Sequence, residues 1–198
     1  EQEIAVTDTD PVSSAVSLTM DEADLPAGSA AGASDPTITQ SLAIVKGQDD
    51  IQDVVFLPSN ETGLPVLTSN GVTLVYDVSS DGHTLTANAG SGGPLIFTLV
   101  MNNPTTDATG ASQSMTATLS GPIDQPGAES TLLNVAYEVR DIDSALAATA
   151  SFTITDDTPL TPVADASISV VEGASGTNGT NLLLNDVIGA DGALPRGL

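Results

Sequence analysis

An internal repeat sets the length of the folding unit in this chain. The sequence VTDTDP at residues 6–11 is closely matched by ITDDTP at residues 154–159, 148 residues further on. Each copy is followed by a short strand-like run that ends in an acid, at Glu22 and again at Glu172. Self-similarity at a fixed offset indicates tandem modules. We predict one module over residues 11–159. Residues 1–10 would be the tail of a preceding module or a linker, and residues 160–198 a linker and the start of a following module.

Between the two copies the sequence is typical of short β-strands separated by turns. β-Branched and apolar residues recur with a period of two, and Gly, Pro, Asn, Asp and Ser clusters interrupt them. No helical period is visible, so we predict an all-β sandwich or barrel. The small-residue segment 25–34 is predicted to be an exposed, mobile loop. The predicted strands cover residues 15–20, 38–46, 51–57, 72–78, 83–88, 94–101, 113–119, 131–140 and 146–155.

The charge balance restricts the partners that the chain can have. Twenty-six acidic residues against three Lys and Arg give a formal net charge of −23, while 40% of the residues are hydrophobic. The apolar fraction is enough for a core, so we do not expect the chain to be disordered. Bound cations are the better explanation of how a folded chain tolerates the repulsion between its carboxylates. Nucleic acid and anionic membrane surfaces are poor partners for such a chain. The longest apolar run, residues 94–101, is too short to span a bilayer, and there is no cysteine for a disulfide or a thiolate site.

Segment 141–159 combines a predicted strand with carboxylates at both of its ends. Asp141 and Asp143 precede the strand, Asp156 and Asp157 follow it, and Pro159 prevents its continuation. Carboxylate and carbonyl oxygens are the ligands that hard divalent cations prefer. We therefore interpret the segment as the last strand of the module, with a candidate calcium-bound joint at each end.

Several separated motifs of the module resemble a known repeat. They are VSLTMDEADL at residues 16–25, GHTLTA at residues 82–87, LSGPIDQP at residues 119–126, and the opening acidic stretch. In this order they resemble the long repeat of type I-secreted RTX-type giant adhesins, often called the type-I-secretion 143 repeat. The resemblance covers about residues 11–160. The chain departs from the family pattern at residues 141–145, where DIDSA replaces a run of three alternating Asp residues, so the third acid of that loop is missing.

The resemblance implies a fold, a location and a role. It implies a calcium-dependent, immunoglobulin- or cadherin-like β-sandwich that is repeated many times in the parent protein. It further implies one-step type I secretion to the extracellular surface of a Gram-negative bacterium, where such proteins take part in attachment and biofilm formation.

Strand direction in such a sandwich predicts where calcium would bind. The first strand runs toward the C-terminal end of the module and the last strand finishes there, so the loop before the last strand lies at the N-terminal end. Four carboxylates at each end, with carbonyls and water, approach the 6–8 oxygen ligands that Ca²⁺ takes. Cadherin joints offer an analogy for how such ions stiffen a tandem array. The predicted metal ligands are Asp8, Asp10, Asp141 and Asp143 at one end and Asp21, Glu22, Asp156 and Asp157 at the other.

The same acids also have a simpler interpretation as solvated turn residues, because Asp is common in turns. Asp49, Asp50 and Asp53 are expected to form a charged loop. Asp165 and Glu172 belong to the following module and could complete a site only in its presence.

No residue constellation for catalysis is visible, and we expect no enzymatic activity. His83 is the single histidine and is expected to be structural or exposed. Without a cysteine or a second histidine there is no material for a zinc site or a Cys–His nucleophile, and no Gly-x-Ser-x-Gly motif occurs. Aromatic residues that could form a sugar platform are few.

The predicted function is that of a calcium-stabilised extender, or stalk, module of a large surface adhesin. Its expected partners are neighbouring modules of the same chain and calcium ions, with any adhesive ligand bound by another domain. The alternative is a module that itself binds a glycan, a peptide or ice on a flat threonine face. The candidate threonines for that face are Thr84, Thr86, Thr116, Thr118, Thr153 and Thr155. The simpler interpretation, which we favour, is a half-exposed strand, where threonine is common.

Overall fold

The computed structural model describes residues 9–32, 36–105, 112–125 and 129–157. Over these residues the chain is a succession of β-strands with one 3₁₀ turn (Glu22–Asp24) and one single-turn helix, α1 (Asn60–Gly63). The predicted all-β class is confirmed. The strands are β1 (Val12–Ser13), β2 (Val16–Asp21), β3 (Thr37–Ser41), β4 (Ile44–Val45), β5 (Asp53–Phe56), β6 (Thr68–Ser69), β7 (Val72–Val78), β8 (Thr84–Ala89), β9 (Leu95–Asn102), β10 (Ser114–Leu119), β11 (Ser130–Arg140) and β12 (Ala145–Thr155).

The four-stranded sheet has the order β2-β12-β11-β5 and fixes the direction of the module. β11 and β12 form a long antiparallel hairpin, whereas β2 runs parallel to β12 with Val16 opposite Ala150 and Asp21 opposite Thr155. Because these two strands are parallel, the chain enters the sheet at one end of the molecule and leaves it at the other. We call the end that holds β1, β4 and the β11–β12 turn the N-terminal pole. The end where β2 and β12 finish is the C-terminal pole.

The second sheet has six strands in the order β3-β10-β9-β8-β7-β6. All of its pairings are antiparallel, and a bulge interrupts the β8–β9 register between Ala87 and Asn88. β1 belongs to neither large sheet, since it pairs only with β4.

The two large sheets bury their inner faces in one core. Buried residues alternate with exposed ones along β2 and with partly buried ones along β10 and the second half of β12, as the two faces of a strand require. Phe97 of β9 and Phe152 of β12 meet edge to face with ring centroids 5.2 Å apart, and Tyr76 of β7 lies 6.2 Å from Phe97. A fully buried Phe contributes strongly to stability, and its truncation to Ala typically costs about 3–5 kcal/mol.

The predicted strand over residues 38–46 is wrong as a single element. The structure divides it into β3, which joins the six-stranded sheet, and β4, which pairs with β1. Ala43 between them adopts a left-handed conformation with φ 49°, and the Ser41 hydroxyl accepts a hydrogen bond from its N–H. The apolar pattern continues through buried Leu42 and Ile44, so the change of sheet leaves no trace in hydropathy.

Helix α1 and the short strands β1 and β6 are additions to the predicted elements. The Asn60 side chain bonds to both the N–H (2.9 Å) and the C=O (2.7 Å) of Ala136, and in this way it extends the pairing on β11 beyond the end of β5. Within the described residues, no helix has the length and apolar character needed to cross a bilayer. Asp8, Asp165, Glu172 and the predicted segment 160–198 lie outside the described residues.

Candidate functional site

In the part of the chain that the structure describes, few charged side chains lie on the strands of the two large sheets, which form the walls of the module. In the six-stranded sheet, Asp77 is the only charged strand residue. In the four-stranded sheet, Asp21, Asp53 and Arg140 occupy the first or last position of their strands, and Glu138 lies two residues from an end. The other acids described lie in loops, in the 3₁₀ turn or in helix α1, and many of them are at the two poles, so the poles are where a cation could be bound.

The C-terminal pole brings three of the predicted ligands together. Asp21 is opposite Thr155 in the parallel ladder, so Asp156 and Asp157 continue directly beside it. The backbone N–H of Asp156 donates to the carbonyl of Glu129 at 3.1 Å, which adds a fourth acid to the group.

The pKa of Asp156 reflects the closeness of these acids. Burial raises the pKa of the Asp156 carboxyl. The nearby charges of Glu129 and Asp157, and to a smaller extent Asp21, raise that pKa further, against one hydrogen bond from the Asp157 N–H that lowers it. Like charges on this scale are relieved by a proton or by a bound cation.

Glu22 turns away from this group and into the protein. Its side chain is fully buried, and its Oε1 accepts a hydrogen bond from the Ile123 N–H at 2.7 Å. The contact ties the 3₁₀ turn after β2 to the loop that follows β10. Glu22 therefore has a structural contact in the interior, and its assignment as a calcium ligand stays a prediction.

Asp157 holds the loop formed by residues 25–32. Its Oδ2 accepts from the Ser29 N–H at 2.9 Å and its Oδ1 accepts from the Ser29 hydroxyl. The loop is folded tightly, since a Cβ on Gly28 would lie 2.3 Å from the Ala23 carbonyl oxygen. Leu25 at its start is buried. The expectation of an exposed segment is thus wrong for Leu25, which is buried, and for residues 28–30, which are partly buried.

At the N-terminal pole Asp141 is committed to its own turn. Its carboxylate accepts from the Ser144 N–H (2.6 Å), the Ser144 hydroxyl (3.0 Å) and the Asp143 N–H (3.2 Å). Burial alone would raise the pKa of Asp141, but these hydrogen bonds outweigh it and hold the pKa below its ordinary value. Hydrogen bonds within the chain therefore hold the turn between β11 and β12, and Asp143 at its tip is exposed.

Asp10 is exposed where the chain enters the same pole. The Thr9 carbonyl accepts a hydrogen bond from the Gln48 N–H at 3.1 Å, so the incoming chain is attached to the loop after β4. Gly47 lies against this contact, since an added Cβ would come within 1.5 Å of the Thr9 carbonyl oxygen. The predicted ligands Asp10, Asp141 and Asp143 thus share one pole.

His83 forms a link between the two large sheets. Its Nε2 lies 2.8 Å from Oδ1 of Asp53 on β5, and its Nδ1 lies 3.6 Å from Oδ2 of Asp81. The Ser79 hydroxyl donates to Asp81, so this group does not have the arrangement of a Ser–His–Asp triad. Lys46 makes an ion pair with Asp50. The predicted structural histidine agrees with these contacts, and the predicted charged loop holds for Asp49 and Asp50. Asp53 instead begins strand β5, and its pairing with His83 has no signal in the sequence.

A shallow depression of about 290 Å³ lies beside this link. Its lining includes Val55, Pro58, Glu61 and Arg140, and no aromatic side chain. Across the described residues, no three acidic or histidine side chains are arranged so that they could hold a metal ion by themselves. A calcium site at either pole would therefore need carbonyls, water or groups from outside the described ranges.

Comparisons of the chain with protein-family models, with curated proteins and with solved structures gave no match in any of the three.

Proposed function

We propose that this chain is a calcium-stabilised extender module of a large secreted bacterial adhesin, with a non-enzymatic role at the surface of a Gram-negative cell. The observation that supports it is that the first and last described residues of the module and most of its described acids lie at the two poles, away from the strand faces of the two sheets. The chain enters at one pole and leaves at the opposite pole, and the strand faces between them are almost free of charge. A module whose two chain ends lie at opposite poles adds its own length to a tandem chain, and it presents carboxylates to its neighbours at both junctions.

The finer fold assignment belongs to the same proposal. The N-terminal segment forms two successive short strands with different partners. β1 pairs with β4, and β2 pairs in parallel with β12. This division, with the two large sheets around one core, supports an immunoglobulin-like sandwich. Calcium would be held at the C-terminal pole by Asp21, Asp156 and Asp157, and at the N-terminal pole by Asp10, Asp141 and Asp143 with Asp8. Groups of the adjoining module would complete each coordination shell, and the ion would relieve the repulsion felt by Asp156.

Thermal unfolding in millimolar calcium and in excess chelator tests the proposal. At a hundredfold excess over the dissociation constant, binding to the folded state adds about 2.7 kcal/mol, which corresponds to about 5–10 °C for a domain of this size. The variant Asp21→Asn with Asp156→Asn should lose most of this rise. Asp77→Asn removes an exposed acid from a sheet wall and should keep it. Identical melting of the unaltered chain in calcium and in chelator would refute calcium stabilisation.

A threonine-rich face favours the second candidate, a module that binds a glycan, a peptide or ice. On the six-stranded sheet Thr37, Thr118, Thr98 and Thr86 are successive partners across four strands. Thr39 and Thr116 lie in the next row, with hydroxyl oxygens 2.7 Å apart. Because these hydroxyls bond to each other, the ladder also serves the sheet itself. Loss of glycan, peptide or ice affinity in Thr98→Lys, with unchanged melting, would establish this second function, and its absence from such screens would leave the extender role alone.

A further inference from the structure

The N-terminal pole carries an apolar pair that nothing in the described structure covers. Val12 and Val45 face each other across the β1–β4 ladder, and they are 63% and 65% exposed. Ile142, at the tip of the turn between β11 and β12 at the same pole, is 72% exposed. Single exposed aliphatic residues are ordinary, but a cross-strand pair with a third at the same end suggests a contact surface.

The preceding part of the chain is tethered beside this pair. The Thr9 carbonyl is fixed by the Gln48 N–H at 3.1 Å, and Gly47 allows the close approach. Thr9 is three residues from Val12, a span of at most about 10 Å. Whatever module precedes Thr9 is therefore held next to the valine pair at a high effective concentration.

The internal repeat identifies which surface of a preceding copy arrives there. With the offset of 148 residues, Thr9 occupies the position of Asp157 and Pro11 that of Pro159. Asp157 is the residue on which loop 25–32 is anchored through Ser29. In a preceding copy that keeps the Asp157 carboxylate, this loop would therefore be anchored at the position of Thr9, only three residues before Val12. Two successive modules have no linker long enough to keep this loop and the valine pair apart.

The chemistry of the loop matches the pair. Residues 25–32 carry no charged side chain, and Pro26, Ala27 and Ala31 are exposed. The loop is pre-formed, with hydrogen bonds from the Gly28 N–H to the Leu25 carbonyl (2.8 Å) and from the Ala30 N–H to the Ala23 carbonyl (2.9 Å). Small apolar residues on an ordered loop let larger aliphatic side chains pack closely, at little cost in conformational entropy.

We propose that Val12, Val45 and Ile142 form a docking face for loop 25–32 of the preceding copy of the module. Consecutive modules are then held end to end by an apolar contact that does not depend on calcium. The inference rests on the proposed function only in requiring that copies follow one another in the chain.

A duplicated chain tests the docking face in excess chelator. Residues 1–159 are followed directly by residues 12–198, which preserves the natural spacing of the repeat. Val12→Thr with Val45→Thr is introduced into the second copy, and the same pair of changes is made in the single chain. Val66→Thr, at a valine between α1 and β6 that is 82% exposed, is the matched control in both chains.

With docking, the paired change lowers the melting temperature of the duplicated chain by about 2–4 °C and leaves that of the single chain unchanged. Amide exchange at Val45 of the second copy is slower than at Val45 of the single chain, and the paired change removes this protection. Equal effects in the two chains, or none in either, would overturn the docking face.

These outcomes are separable from those for the proposed function. If calcium has no effect on melting but the paired change still acts only in the duplicated chain, the docking face stands and the calcium joint fails. If calcium stabilises the chain and the paired change has no effect in chelator, the docking face fails and the calcium joint stands.

Discussion

The carboxylate of Asp157 accepts two hydrogen bonds from Ser29, a residue 128 positions earlier in the chain. One comes from the backbone N–H and the other from the hydroxyl, and Asp157 is almost fully buried. The last residue of the described module is thereby attached to the loop after its first long strand. This contact closes loop 25–32 against the end of β12 at the C-terminal pole.

Asp157→Ala should therefore destabilise the module even without calcium. Hydrogen bonds to a charged group contribute about 1.5–3 kcal/mol each, so the loss of both should lower the free energy of unfolding by about 3–6 kcal/mol. Ser29→Ala removes only the hydroxyl donor and should cost about 1.5–3 kcal/mol. Urea unfolding in excess chelator measures both. If Asp157→Ala were neutral in chelator and destabilising only with calcium, Asp157 would act as an ion ligand rather than as a clamp.

Asp156→Asn should have the opposite sign in chelator. The pKa of Asp156 is raised in the folded state, so its ionisation opposes folding at neutral pH, and the penalty disappears as the pH falls through that raised pKa. Asn removes the charge, and we expect a gain of less than about 1 kcal/mol at pH 7 because solvent screens surface charges. The gain should vanish at pH values where Asp156 of the parent protein is protonated. Denaturant unfolding between pH 3 and pH 7 checks the sign, and a destabilised variant at pH 7 would contradict it.

Much of the fold follows from local pattern, and the site follows only in part. Alternation in β2 and β12 predicts both strands, and the acids after each of them predict an acidic C-terminal end. In the sequence Glu22 looks as solvent-exposed as its neighbour Asp21, yet its side chain is buried and accepts a hydrogen bond from the Ile123 N–H. The local sequence does not predict this, because glutamate is rarely buried and its partner lies 101 residues away. The partnership of Ser29 with Asp157 depends on tertiary contacts between distant segments, which periodicity does not encode.

Asp124 gives the module a stabilising contact that is lost in acid. Its Oδ1 accepts from the Asn70 N–H and its Oδ2 from the Gly71 N–H, each at 2.8 Å. These two residues have positive φ and form the turn between β6 and β7. Burial alone would raise the pKa of Asp124, but hydrogen bonds from Thr68, Gly71 and Asn70 outweigh it and lower the pKa below its ordinary value of 3.8.

Because the folded-state pKa is depressed, the contribution of Asp124 is complete above its ordinary pKa and is lost as the pH falls through the lower, folded-state value. Asp124→Asn keeps one acceptor oxygen and should cost about 1–2 kcal/mol at pH 7. The difference between variant and parent should shrink below pH 4, which unfolding at a series of pH values would measure. A difference that stays constant down to pH 2 would exclude the ionised carboxylate as its source.

Gly47→Ala should detach the incoming chain from the N-terminal pole. The new Cβ would lie 1.5 Å from the Thr9 carbonyl oxygen, so the hydrogen bond between that oxygen and the Gln48 N–H must break. We expect a loss of about 1–2 kcal/mol in unfolding free energy and faster amide exchange at Gln48. Gly63→Ala is the matched control, since its Cβ meets nothing within 4 Å and Ala favours helix α1, so that variant should be neutral or slightly stabilised. Unchanged exchange at Gln48 in Gly47→Ala would show that the attachment at Thr9 does not hold the chain in solution.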